Sequence, residues 1–164
     1  MSNSVALLKT LVGFDTTSRE SNLQLIEFVR NYLESFDVPC ELIYNDERSK
    51  ANLFATIGPA DQPGIVLSGH TDVVPVDGQP WTMPPFELTE RDGKFFGRGT
   101  ADMKGYIACV LALVPALVQT SLRLPVHIAL SYDEEVGCLG VRSLLEVLQQ
   151  RPIKPLLCII GEPT

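Results

Sequence analysis

Three apolar runs, GIVLS at residues 64–68, VHIALS at 126–131 and LLCII at 156–160, are each too short for a helix and are bounded by glycine, proline or acidic residues. Such runs read as strands, the first two of them buried within a sheet. Helical periodicity fills the chain around them. Asn3–Val12 is one helix, and Glu20–Phe36 is another, with Leu23, Ile26, Val29, Leu33 and Phe36 at three- and four-residue steps and Ser18 placed to cap it. Met103–Thr120 and Val136–Gln149 read as two more. Pro39–Tyr44 and Asn52–Ile57 are further strands, separated by a polar turn at Asn45–Lys50. Asp92-Gly93 suits a hairpin joining Glu87–Thr89 to Lys94–Phe96. Residues 73–85, broken by proline and glycine, read as a loop. The alternation predicts an α/β fold in helix–sheet–helix layers around a mixed, largely parallel sheet.

In sheets of that kind, sites form beyond the carboxyl ends of strands. His70 and Asp72 follow GIVLSG, Glu134 and Glu135 follow VHIALSYD, and Glu162 follows LLCIIG. Taken singly, each has an ordinary explanation. His70 and Asp72 are either a ligand and its orienting carboxylate or a structural pair. Asp102, in a loop with Gly97, Gly99 and Gly105, is either a site residue or the N-cap of the helix that follows. Asp133, Glu134 and Glu135 crowd three negative charges together, which is costly unless a cation sits among them. The alternative is a solvated turn opening a helix.

Composition narrows the partners. The 164 residues carry a net charge of −7, which argues against nucleic acid or an anionic membrane, both of which require a basic face. At this length roughly two thirds of the unfolded surface can be buried, enough for one domain without staples. No stretch reaches the ~20 apolar residues of a spanning helix, and the first dozen residues lack a secretory pattern, so the expected location is the cytoplasm. Cys40, Cys109, Cys138 and Cys158 form no C-x-x-C pair and are expected to be buried, reduced thiols. His127, inside an apolar run, is expected to be a hydrogen-bonded sheet residue. Trp81 either borders a site or packs on its own loop.

Four segments together, SGHTDVVP at 68–75, GRGTADMKG at 97–105, YDEEVGCLG at 132–140 and IIGEPT at 159–164, resemble in order and spacing the acetylornithine deacetylase and succinyl-diaminopimelate desuccinylase family of metallohydrolases. The resemblance implies a zinc-exopeptidase-like catalytic domain holding two divalent ions, zinc first, with cobalt or manganese as alternatives. His70 and Glu135 would bind different ions, Asp102 would bridge them, and Glu162 would bind one of the two. Glu134 would be the general base, and Asp72 would orient His70. The peptide between Asp102 and Met103 would be cis.

The substrate implied is a small N-acylated amino acid. Deacetylation of N-acetylornithine to ornithine and acetate, a step of arginine biosynthesis, comes first; desuccinylation or small-peptide hydrolysis are the other readings. Family members are much longer, with a dimerisation domain inserted after Glu162-Pro163 and a returning segment that carries a last histidine ligand. Residues 1–164 therefore correspond to the N-terminal part of the catalytic domain. On this expectation the whole enzyme is a homodimer, while the chain alone turns over weakly or serves only to bind metal, and self-associates through an open sheet edge.

Overall fold

The structure, a computed structural model, describes residues 3–163. Met1 and Ser2, and Thr164 at the end of the last motif, lie outside the described residues. Five strands form one sheet in the order β1-β2-β6-β3-β7, comprising β1 (Cys40–Tyr44), β2 (Ala51–Ile57), β3 (Ile65–His70), β6 (Val126–Ser131) and β7 (Leu157–Ile160). The sheet is mixed, as expected. β1 and β6 run antiparallel to β2, while β6, β3 and β7, the strands with acids or histidine at their ends, are parallel. A separate hairpin joins β4 (Thr89–Arg91) to β5 (Lys94–Phe96).

Side-chain alternation sets the layers. Leu53, Ala55 and Ile57 of β2 and Ile128 and Leu130 of β6 face three helices, α1 (Asn3–Val12), α2 (Leu23–Glu34) and α3 (Lys104–Val118), and form the main core with them. The intervening residues Phe54 and Ala129, with Val66 of β3, face α4 (Val141–Gln150) through Leu144. The layers are thus the helix–sheet–helix arrangement expected from the sequence. Among the described residues no helix is long and apolar enough to cross a membrane.

Four local expectations are corrected. α2 starts at Leu23, not Glu20, and its N-cap is Asn22; the Ser18 hydroxyl donates instead to Asp72 Oδ2 at 2.7 Å. α4 starts at Val141, not Val136, because Gly137 (φ 106°) and Cys138 (φ 53°) are left-handed and cannot continue a helix. The hairpin register lies two residues later on its first strand, pairing Arg91 with Lys94 so that Asp92 and Gly93, both at positive φ, form the two-residue turn. Cys109, Cys138 and Cys158 are exposed and only Cys40 is half-buried, since β7 is an edge strand and Cys109 lies on the outer side of α3. For the same reason all of β7 is exposed, despite its apolar sequence. His127 matches its expectation. Its Nδ1 lies 2.9 Å from Thr56 Oγ1, and its ring stacks on Phe54.

Asn52 links this core to the loop after β6. Its buried amide donates to the Gly140 carbonyl (2.8 Å) and the Ser143 hydroxyl (3.0 Å), and its oxygen accepts from the Tyr132 N–H (3.3 Å). An Asn52→Leu substitution should destabilise the chain by about 1–3 kcal/mol, because it takes the side-chain acceptor from the buried Tyr132 N–H and breaks the tie to the Gly140 carbonyl, which keeps its bond from the Ser143 hydroxyl. Urea denaturation checks this through a lower midpoint at unchanged slope.

Candidate metal centre

β3 ends at His70, which pairs in register with Ser131 of β6 and is 2% exposed. The glycine before it allows α3 to approach closely, since a Cβ at Gly69 would stand 3.1 Å from Met103 Cε. Met103 is the N-cap of α3, and Asp102 lies one residue before it, joined by a cis peptide. Asp102 therefore does not cap the helix. Its Oδ1 sits 2.9 Å from His70 Nε2.

The same nitrogen gathers the other acids. Glu162 Oε2, just past β7, is 3.6 Å away, and Glu134 Oε2, in the turn after β6, is 3.9 Å away. Two sets, His70 with Glu134 and Glu135 and His70 with Asp102 and Glu162, each have donor atoms within 4.8 Å of one another. The structure thus brings together all five of these residues, from four separate stretches of chain, around one imidazole.

Asp72 works from the opposite side of the ring. Its carbonyl oxygen lies 2.9 Å from His70 Nδ1, and its carboxylate oxygen stands 3.6 Å from the same nitrogen. The carboxylate mainly takes three other hydrogen bonds: from the Ser18 hydroxyl, from the Glu134 N–H at 3.0 Å and from the Glu135 N–H at 3.2 Å. One buried acid therefore fixes the ring orientation and anchors the backbone of both glutamates. Cys138 adds a weak S–H donor to Glu134 Oε1 at 3.5 Å.

The electrostatics show a site with excess negative charge. Burial opposes charging of His70, yet the hydrogen bonds and charge of Asp72, and then Asp102, raise its pKa to about 9. Burial would raise the Asp72 carboxyl, but the bonds from His70, Ser18 and the Glu134 amide hold it below the usual range. Glu135 and Glu162 are raised, first by burial and then by neighbouring carboxylates, Asp102 foremost. A divalent cation would relieve that repulsion.

The donor set fits such an ion. Imidazole and carboxylates suit zinc, cobalt or manganese. Bonds of about 2.0–2.2 Å place tetrahedral zinc ligands roughly 3.4 Å apart, and the separations of 2.9, 3.6 and 3.9 Å around His70 Nε2 bracket that spacing.

A depression of about 170 Å³ beside Asp102 and Glu135 is lined by Val74, Arg98 and Thr100. Trp81 lies in the adjoining loop, where its indole N–H donates to Gln79 Oε1 and Arg98 stacks over its ring at 5.2 Å. Of its two readings, the contacts found are those of packing on its own surroundings. Sequence reasoning missed the roles of Ser18 and Asn52. Each acts through a side chain that reaches a remote loop, and no periodicity or motif marks that.

Residues 66–164 match the profile described as peptidase family M20/M25/M40. The chain is 44% identical over 156 residues to the acetylornithine deacetylase of Pasteurella multocida (strain Pm70), covering 94% of this chain and 40% of that protein. It is 40% identical over 151 residues to that of Proteus mirabilis (strain HI4320), covering 92% and 38%. The chain thus spans about two fifths of the length of these relatives. In fold it is similar to human carnosine dipeptidase 1, with a TM-score of 0.83 at 22% identity over 98% of this chain and 38% of that one. It is also similar to the M20 family metallo-carboxypeptidase Sso-CP2 from Sulfolobus solfataricus, with a TM-score of 0.85 at 20% identity over 98% and 37%. The four motifs, three at strand ends and one in the loop before α3, come together around one histidine within the matched stretch, and the chain belongs to peptidase family M20/M25/M40.

Proposed function

We propose that this chain carries the ion-binding part of a cytoplasmic metal-dependent amide hydrolase whose substrate is N-acetylornithine. The observation that carries the reading is the convergence of Asp102, Glu134 and Glu162 on His70 Nε2, with Glu135 in the same cluster. His70, Asp102, Glu135 and Glu162 would hold two divalent ions, zinc first. When bound, such ions supply Lewis acidity, polarising the amide carbonyl and lowering the pKa of water.

The chain's own groups do the rest. Glu134, with a third of its side chain exposed, can reach a water molecule, take its proton as it attacks the carbonyl, and return that proton to the leaving amine. Asp72 keeps Glu134 in place by binding its N–H and fixes the His70 ring by accepting from Nδ1. The products are acetate and ornithine. N-acetylornithine is preferred over other acylated amino acids because the similar curated relatives carry that activity in their names.

Two measurements test the reading. Zinc at a hundredfold excess over its dissociation constant should stabilise the chain by about 2.7 kcal/mol, a rise of roughly 5–10 °C in melting temperature for a domain of this size. His70→Ala should remove that rise. A wild-type melting curve unmoved by zinc, cobalt and manganese would defeat the ion site. Substrate is read by assaying the whole polypeptide that contains this sequence against N-acetylornithine, N-succinyl-diaminopimelate and dipeptides. Preference for either of the latter two would replace the deacetylase reading with a desuccinylase or a peptidase. Ion binding without any turnover would leave a metal-binding module, which could self-associate along the exposed β7 edge.

A further inference from the structure

Lys50 ends the polar segment before β2, where nothing in the sequence distinguishes it from a solvated turn residue. In the fold its ammonium lies 2.5 Å from Asp133 Oδ1 and donates also to the Ser18 carbonyl, and the two paired side chains are only 13% and 17% exposed. Asp133 opens the acid turn with a left-handed backbone. Ser18 turns its hydroxyl onto Asp72 Oδ2, and the Asp72 carboxylate receives the N–H groups of Glu134 and Glu135. Lys50 is therefore one contact from the start of the turn and two from the carboxylate that anchors both glutamates. Among the described residues it is the only cation paired with Asp133.

We propose that Lys50 is a positioning residue for the centre: by clamping Asp133 and Ser18 together it holds the turn so that Glu134 and Glu135 face His70. The proposal rests on the divalent-ion reading above. It can be told apart from a purely electrostatic role because the two predict opposite signs. As a nearby positive charge alone, Lys50 repels an incoming cation, so removing it would tighten ion binding. As a clamp, its removal frees the turn and loosens binding, and loss of a partner that orients ligands typically costs 10- to 100-fold in affinity.

The test is calorimetric titration of Zn²⁺ into the wild-type chain, Lys50→Met and Lys50→Arg, together with amide hydrogen exchange of Glu134 and Glu135 in the metal-free proteins. Lys50→Met should bind zinc 10- to 100-fold more weakly and exchange those two amides about 10-fold faster. Lys50→Arg, which keeps the charge and the donors, should restore most of both. Unchanged or tighter zinc binding by Lys50→Met, or unchanged exchange, overturns the proposal. A wild type that binds no zinc defeats the ion reading instead, while the exchange rates still decide the clamp. Should Lys50→Met not fold, Lys50→Gln takes its place under the same criteria, and failure of both to fold makes the lysine structural and overturns the proposal.

Discussion

On the proposed hydrolase reading, Glu134→Gln in the whole polypeptide should lower the hydrolysis rate by about 10²- to 10⁴-fold, the usual span for loss of a general acid–base, while zinc affinity falls much less. The substitution keeps size and shape but removes the group that can accept a proton. The backbone contact that holds the residue, its N–H on Asp72, does not involve the side chain and survives. Replacing His70, Asp102 or Glu162 should behave differently and abolish ion binding and turnover together, since these three side chains form one candidate ion-holding set and the proposed reading gives each of them a ligand role. Measuring zinc stoichiometry beside kcat separates the classes. If Glu134→Gln lost its zinc as completely as His70→Ala, Glu134 would be a ligand and the proton-transfer role would have to move to another carboxylate.

The second large effect is on stability. Leu130 is 1% exposed and sits in the main core on β6, two residues before Tyr132 and the acid turn. Truncation to alanine removes three methyl or methylene-sized groups and leaves a cavity that a sheet residue held by neighbours on both sides cannot readily close, so Leu130→Ala should cost about 2–5 kcal/mol. β6 is bonded to β2 on one side and β3 on the other, which limits relaxation. The midpoint of thermal unfolding should fall by roughly 5–15 °C. A fall of under a degree or two would show that the layer between β6 and the helices is loosely packed.

The sequence made some features legible and left others hidden, and the difference is physical. α1 at Asn3–Val12 and β6 at Val126–Ser131 coincide with the runs expected for them, because hydrophobic periodicity is itself the packing signal. Element starts were less accessible. The first turn expected for α4 fails at Gly137 and Cys138, whose positive φ angles no hydrophobic periodicity announces. For α2, Asn22 took the cap position and Ser18 was drawn away to Asp72. β7 was recognisable as a strand but not as an exposed one, since hydrophobicity says nothing about which strand ends a sheet.

The candidate site divides in the same way. His70, Asp72, Asp102, Glu134, Glu135 and Glu162 could be picked out because strand-end placement and motif order are properties of the sequence. Their convergence on His70 Nε2 needed the fold. Lys50, Ser18 and Asn52 could not be found, because a single side chain crossing to another loop leaves no repeat or motif behind it.

The strand order has a kinetic meaning. β6 must thread between β2 and β3, and β7 must then dock on the far side of β3, so the pairings that bring His70 to Glu134 and to Glu162 close loops spanning much of the chain. Contacts of such long sequence separation form late and slow the search. A cobalt ion whose absorption depends on those ligands would therefore act as a clock for folding. Its colour should develop with the slowest refolding phase, after helical circular dichroism has already returned.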